Sequence, residues 1–220
     1  MRIALERKIG DNKMKKLLAL TLCALSGAVF AGDDGGDAPR NKPYVMVDTG
    51  MEKDSASLAN EYINVNLTMG VKTPSKTEFS VKVGASLKDL PSNSAYDDKL
   101  SNNLEFKVKQ SFDVGTFFLP YVAVRLGEKF VFDGSKSHFT HYAFDAGLKL
   151  PLSDKLALDV GARYRNSFDT SKEYRSTRLH AMMLLDLDKS NTVGLRYTQS
   201  DAQSYYEERK GWRVHYQRNY

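Results

Sequence analysis

Basic side chains recur at alternating positions along this chain, and they are the clearest candidates for a chemical role. Arg163 and Arg165 stand two residues apart, and further lysines and arginines occupy equivalent positions in segments before and after them. A guanidinium group stays charged and matches a carboxylate through two parallel hydrogen bonds. We therefore predict that this set binds small anions. Its members are Lys82, Lys107, Arg125, Arg163, Arg165, Arg178, Arg196 and Arg213.

Acidic residues share the same alternation, which leaves two interpretations open. The cations either attract anions from solution, or they pair with the carboxylates in a structural network that fills the interior. Asp145, Asp159 and Asp186 are placed to pair with neighbouring arginines. Basic residues nevertheless exceed acidic ones by roughly two to one on this parity, and that surplus favours anion attraction. Beyond the predicted anion-binding set, the basic residues on this parity are Lys72, Lys109 and Lys149. The acidic residues on it are Asp48, Glu78, Glu105, Asp145, Asp159 and Asp186.

Histidines supply further candidates for catalysis. His141, His180 and His215 fall on the same parity, whereas His138 stands at the end of a segment. A catalytic serine needs a base within reach and a third group that orients the base, and no local spacing of Ser and His provides both. We expect the three histidines to be hydrogen-bonded structural groups. We predict no enzymatic activity, no cofactor and no metal site.

The elements that position these residues are segments of about ten residues in which apolar and polar side chains alternate. Short breaks with turn residues, such as 73–75 and 188–191, follow every second segment, and longer polar stretches, such as 88–101 and 129–137, follow the others. A soluble β-sandwich shares the alternation but gives no reason for regular loop lengths. The predicted strands are 44–51, 61–72, 77–88, 102–112, 117–128, 138–150, 155–166, 174–187, 192–200 and 208–220.

This pattern predicts an all-β fold, a single antiparallel transmembrane β-barrel of about ten strands, with eight or twelve as alternatives. The apolar parity, for example Ile63, Val65 and Met69, would face lipid, and the basic parity would face the lumen. Aromatic residues gather near the strand ends, as expected where rings sit at the bilayer interface. We assign Phe112, Phe117 and Phe118 to the inner rim and Phe139, Tyr164 and Tyr197 to the outer rim.

The start of the chain has the features of an export signal. A charged segment precedes an apolar run that ends at Ala31 and is too short to span a bilayer. We predict a signal peptide at 1–31 with Met14 as the true start, a flexible periplasmic leader at 32–43, and the barrel at 44–220. The signal contains six basic and two acidic residues, so most of the +5 net charge belongs to it. The charge therefore gives no argument for a nucleic-acid partner.

The last segment, residues 211–220, alternates apolar side chains and closes on Tyr220. It resembles the C-terminal signal of Gram-negative outer-membrane proteins, although Tyr replaces the usual Phe and Arg218 stands where an apolar residue is expected. The resemblance implies recognition by the barrel assembly machinery and a location in the outer membrane, among its lipids and lipopolysaccharide.

A second resemblance covers the C-terminal half. The segments Ala162-Arg163-Tyr164-Arg165 and Gly194-Leu195-Arg196-Tyr197 are similar to arginine-bearing strands of the oligogalacturonate-specific porin family. That family implies about twelve strands and passage of acidic oligosaccharides through a basic lumen. We therefore expect an outer-membrane channel for small anionic solutes. The alternatives are a non-conducting barrel that acts through its outer loops and, last in order, a lipid-modifying enzyme.

Overall fold

The computed structural model describes residues 41–54, 61–89, 99–115, 117–132, 137–172, 174–201 and 208–220. The predicted signal peptide and nearly all of the predicted leader lie outside these residues. The leader boundary needs one correction, because Lys42 and Pro43 already belong to the first strand. Within the described residues no helix is long and apolar enough to cross a bilayer.

Ten antiparallel strands close into a barrel, as the sequence predicts. Closure depends on the pairing of the first strand with the last, which runs from Tyr44 opposite Asn219 to Asp54 opposite Arg209. The strands are β1 (Lys42–Asp54), β2 (Glu61–Lys72), β3 (Thr77–Asp89), β4 (Lys99–Ser111), β5 (Leu119–Phe132), β6 (Ser137–Pro151), β7 (Leu156–Ser167), β8 (Ser176–Asp186), β9 (Asn191–Ser200) and β10 (Arg209–Asn219).

The two faces of each strand differ in chemistry as predicted. In β5, Val122, Val124 and Leu126 are about half exposed and point outward, while Tyr121 and Ala123 are buried inside. Successive side chains of a strand point to opposite faces, so one register serves both an apolar exterior and a polar interior. The exterior is a belt of large exposed apolar side chains, which is the surface that a bilayer core requires.

The connections divide the barrel into two ends. The turn end carries the connections 73–76, 112–118, 152–155 and 187–190, together with the first residue of β1 and the last of β10. The loop end carries the connections that follow β1, β3, β5, β7 and β9. The stretch 129–137 is shorter than predicted, because Lys129 to Phe132 continue β5.

Aromatic residues follow the predicted rims with one exception. Phe112, Phe117 and Phe118 are exposed in the β4–β5 connection at the turn end. The assignment of Phe139 to an outer rim is wrong, because Phe139 is buried on the inward face of β6 beside His141. The predicted parity of β6 already implied this position, since Tyr142 and Phe144 face outward.

Inward glycines allow bulky interior side chains to lie against the wall. A Cβ atom added at Gly194 would lie 2.2 Å from Cε1 of His215, which is its register partner on β10. A Cβ at Gly147 would lie 2.4 Å from the hydroxyl oxygen of Tyr121. These rings therefore lie flat across a neighbouring strand, and a larger residue at either glycine would push them toward the axis.

Candidate functional site

The lumen is the candidate site, a cavity of about 1120 Å³ bounded by the inward faces of the strands. Its lining extends from Thr73 and Asp188 in connections of the turn end to Lys129 and Arg209 near the loop end. Among the described residues that line it, sixteen are Lys or Arg and eight are Asp or Glu. All eight residues of the predicted anion-binding set are among them. The roughly twofold excess of basic over acidic residues that the sequence predicts is therefore present in the described cavity lining.

Glu105 is the centre of the largest interior charge cluster. Its side chain is fully buried, and its oxygens lie 2.9 Å from Lys82 Nζ, 2.6 Å from Arg125 Nη1 and 3.0 Å from Arg165 Nη2. Its register partner on β5 is Gly127, and the His141 ring lies over this glycine, since a Cβ there would be 2.7 Å from His141 Cε1. Such a carboxylate is stable inside a protein only because several cations surround it.

Arg125 extends this cluster to a second carboxylate. Its Nε donates a hydrogen bond of 2.7 Å to Asp145, and Arg163 Nε donates another of 2.7 Å to the other oxygen of Asp145. The chain Glu105–Arg125–Asp145–Arg163 follows the wall from β4 to β7. These arginines hold the wall together as well as giving it charge.

The opposite wall carries a second cluster on β1. Arg213 Nη2 lies 2.5 Å from Glu52 and its Nη1 lies 3.1 Å from Asp48, while Arg178 Nη1 lies 3.1 Å from Glu52. Glu52 is missing from the sequence-based set because the predicted first strand ended at residue 51. One more residue of alternation would have placed it on the inward face.

Arg196 is the least firmly held of the predicted arginines. Its Nη1 lies 4.0 Å from Asp48, and its Nε and Nη2 donate to the sulfur of Met182 at 3.3 and 3.1 Å. A thioether is a weak acceptor and carries no charge. The positive charge of Arg196 is therefore less neutralised by protein groups than that of Arg125 or Arg213.

Pairing at the turn end differs from the expectation for Asp159 and Asp186. Asp159 accepts hydrogen bonds from Tyr121 at 2.8 Å and faces His180 at 3.0 Å, not an arginine. Asp186 accepts a hydrogen bond of 2.6 Å from Thr192. Only Asp145 pairs with arginines as predicted. The reason is distance along the barrel, because the arginines cluster toward the middle and the loop end.

An aromatic cluster narrows the lumen near the loop end. Tyr174, from the connection after β7, is buried against Phe139 at a ring distance of 4.7 Å and against His141 at 5.5 Å. Arg165 Nη1 donates a hydrogen bond of 2.9 Å to its hydroxyl oxygen. Burial works to raise the pKa of the Tyr174 phenol, but the charges of Arg165 and Lys129 lower it to about 8. The predicted strand 174–187 already gave Tyr174 the inward parity of Arg178, although β8 begins only at Ser176.

The histidines occupy the inward positions predicted for them, but they are not all hydrogen-bonded. His180 contacts Asp159 and Tyr121. His141 is fully buried and lies 3.7 Å from Glu105, and neither of its ring nitrogens has a hydrogen-bond partner among the described residues. The prediction of hydrogen bonding is therefore wrong for His141, whose ring packs against aromatic neighbours instead.

Comparison with known proteins adds evidence on the fold. No protein-family model matches the sequence, and no curated protein matches it. An outer-membrane channel of Pseudomonas putida F1 has a similar structure, with 9% identity, a TM-score of 0.51, and coverage of 86% of this chain and 100% of that one. NanC porin shares 10% identity at a TM-score of 0.49, over 79% and 98% of the two chains. KdgM porin, solved in complex with disordered oligogalacturonate, shares 10% identity at a TM-score of 0.43, over 80% and 99%.

Identities this low report on architecture alone. The predicted resemblance to small outer-membrane barrels is confirmed at that level. The chain thus has the fold of outer-membrane β-barrel proteins, with an apolar belt outside and a basic lumen within.

Proposed function

We propose that this protein is an outer-membrane channel that passes small anionic solutes through its basic lumen. The supporting observation is the charge of the cavity wall, where sixteen basic residues face eight acidic ones among the described lining. Fixed cations along a narrow pore lower the electrostatic barrier for anions and raise it for cations. Acidic oligosaccharides are one candidate class of solute, on the strength of the similar Arg-aromatic segments.

The orientation proposed here follows from the two ends. Barrels of the bacterial outer membrane have short periplasmic turns and longer external loops. The turn end therefore faces the periplasm, and the loop end, with Tyr174, faces the outside. A solute from outside would pass the aromatic cluster first and then the charged clusters on β1 and β4.

Within this channel, Arg196 is the arginine best suited to meet a permeating anion. Arg125, Arg165 and Arg213 each lie within about 3 Å of buried carboxylates, which offset their charge. Within the described part of the chain, the guanidinium of Arg196 has a 4.0 Å contact with Asp48 and a sulfur acceptor as its polar partners. Its guanidinium can exchange these partners for a solute carboxylate at little cost.

Single-channel recording of the folded barrel in a planar bilayer tests conduction. Discrete current steps are the expected result. Arg196→Gln should give channels that discriminate less strongly between anions and cations. Arg218→Gln is the matched control, since it removes the same charge from the outer face and should leave selectivity unchanged. Equal selectivity in both variants would remove Arg196 from the proposal.

One observation favours a second candidate, a closed barrel with a structural or surface-interaction role. The eight predicted anion-binding residues all lie within 4.0 Å of a carboxylate, and Tyr174 packs into the lumen. A network of this kind can fill a narrow barrel without conducting. A correctly folded protein that never produces current steps would support this candidate and contradict the channel.

A further inference from the structure

Three lysines near the turn end differ from every cation in the predicted set. Lys72, Lys109 and Lys149 lie on β2, β4 and β6 and line the cavity. None of their ammonium groups forms a salt bridge within 4.0 Å of a carboxylate oxygen of the described residues. The neighbouring Lys107, in contrast, contacts Glu78 directly. These three lysines therefore belong to the basic residues whose charge is not offset by direct contact with a carboxylate.

The carboxylates that lie opposite the three lysines in the strand register contact other groups. Glu78 is the register partner of both Lys72 and Lys109. Its Oε1 instead contacts Lys107 Nζ and accepts a hydrogen bond of 2.7 Å from the Tyr44 hydroxyl. The contacts of Glu78 with Lys107 and Tyr44 therefore leave the ammonium groups of Lys72 and Lys109 on either side of Glu78 without a direct salt bridge to it.

Lys149 is in the same situation on the other side of the cluster. Its register partner is Asp159, whose Oδ1 accepts a hydrogen bond of 2.8 Å from Tyr121 and lies 3.0 Å from His180. Lys109 Nζ lies 3.7 Å from the centre of the Tyr121 ring, a cation–π position that orients it without neutralising it.

Lys72 and Lys109 lie on either side of Glu78 in the strand register, and Lys149, opposite Asp159, lines the same cavity two strands beyond Lys109. Like charges held together on a half-buried wall repel, and an anion placed between them relieves that repulsion. Acids do occur at this end, but Asp186 is hydrogen-bonded to Thr192 and Asp188 is held within its own turn.

From this arrangement we propose that Lys72, Lys109 and Lys149 form a binding site for a compact multivalent oxyanion of the phosphate class. Lysine acts on phosphate as a point charge, whereas the bidentate recognition of carboxylates requires a free guanidinium fork. The guanidinium groups of Arg163 and Arg125 are already occupied by Asp145 and Glu105, and that of Arg196 donates to the sulfur of Met182. The site lies in the lumen of the proposed channel, but binding does not require that lumen to conduct.

The test is a titration of the folded, detergent-solubilised protein with inorganic phosphate, followed by ³¹P NMR line broadening. Saturable broadening is expected for the native chain. The triple variant K72Q/K109Q/K149Q should bind phosphate with an affinity reduced by roughly tenfold or more, because three adjacent charges are lost. The control K53Q/K210Q/R218Q removes three charges from the outer face and should bind like the native chain.

Two results would overturn the inference. Equal binding by both triple variants would show nonspecific attraction to the overall charge. Tighter binding of monomeric galacturonate than of phosphate would show that the site recognises a carboxylate. A protein that binds phosphate but gives no current would support this site and contradict the channel, while a conducting protein without phosphate binding would do the reverse.

Discussion

Replacement of Glu105 by glutamine tests whether the interior charge network holds the barrel together. The substitution keeps the shape of the side chain and removes one charge from a fully buried position. Three cations contact that carboxylate, and their side chains are only 20%, 12% and 15% exposed for Lys82, Arg125 and Arg165. Loss of one member of a buried ion pair costs about 3–5 kcal/mol, because the partner charges remain desolvated. We expect a loss of this size in the free energy of unfolding.

The assay is urea unfolding of the barrel in lipid, followed through the fluorescence of Trp212, which is the single tryptophan of the chain and lies on the outer face. Glu128→Gln is the matched control. Glu128 contacts His138 at 3.1 Å at an exposed position, so its replacement should change stability by less than about 1 kcal/mol.

A double variant distinguishes the destabilisation caused by an unpaired buried cation from other effects of the Glu105 substitution. Glu105→Gln combined with Lys82→Met removes one of the cations that the first change leaves unpaired, and part of the lost stability should return. If the free energy of unfolding of Glu105→Gln is within about 1 kcal/mol of the native value, as for an exposed pair, the buried network does not stabilise the barrel.

Three further predictions concern smaller features. The Tyr174 pKa of about 8 lies below its unfolded value, so stability should rise between pH 8 and pH 10, and Tyr174→Phe should lack this rise in parallel unfolding curves. Gly194→Ala should destabilise the barrel by about 1–3 kcal/mol through contact with His215, and His215→Ala should restore much of the loss, a recovery that an unrelated backbone effect would not give. Lys76 Nζ lies 2.5 Å from Asp113 and lowers its pKa, so Lys76→Gln should raise that pKa in an NMR titration, and an unchanged value would refute the contact.

Alternation along the chain was enough to predict about ten strands and their inward and outward faces, while the even number of strands and the alternating short and long connections predicted a closed barrel. The reason is that a two-residue period is a local property, which each strand displays on its own. The inward position of all eight predicted cations follows from the same period.

The interior contacts could not be predicted in the same way. Arg165 reaches Glu105 from β7 to β4, and Arg178 reaches Glu52 from β8 to β1. Contacts between strands that are not neighbours depend on the stagger and diameter of the closed barrel, which the alternation does not contain. The predicted strand 174–187 gave Tyr174 the correct inward parity, but not its contacts with Phe139 and His141.

The zero-current potential of the native channel under a salt gradient shows whether the lumen selects anions over cations. If the basic lumen favours anions, the potential will have the sign set by chloride diffusion, and K72Q/K109Q/K149Q will move it toward zero. A potential with the sign set by cation diffusion, or a folded protein that carries no current, would be incompatible with an anion-selective channel.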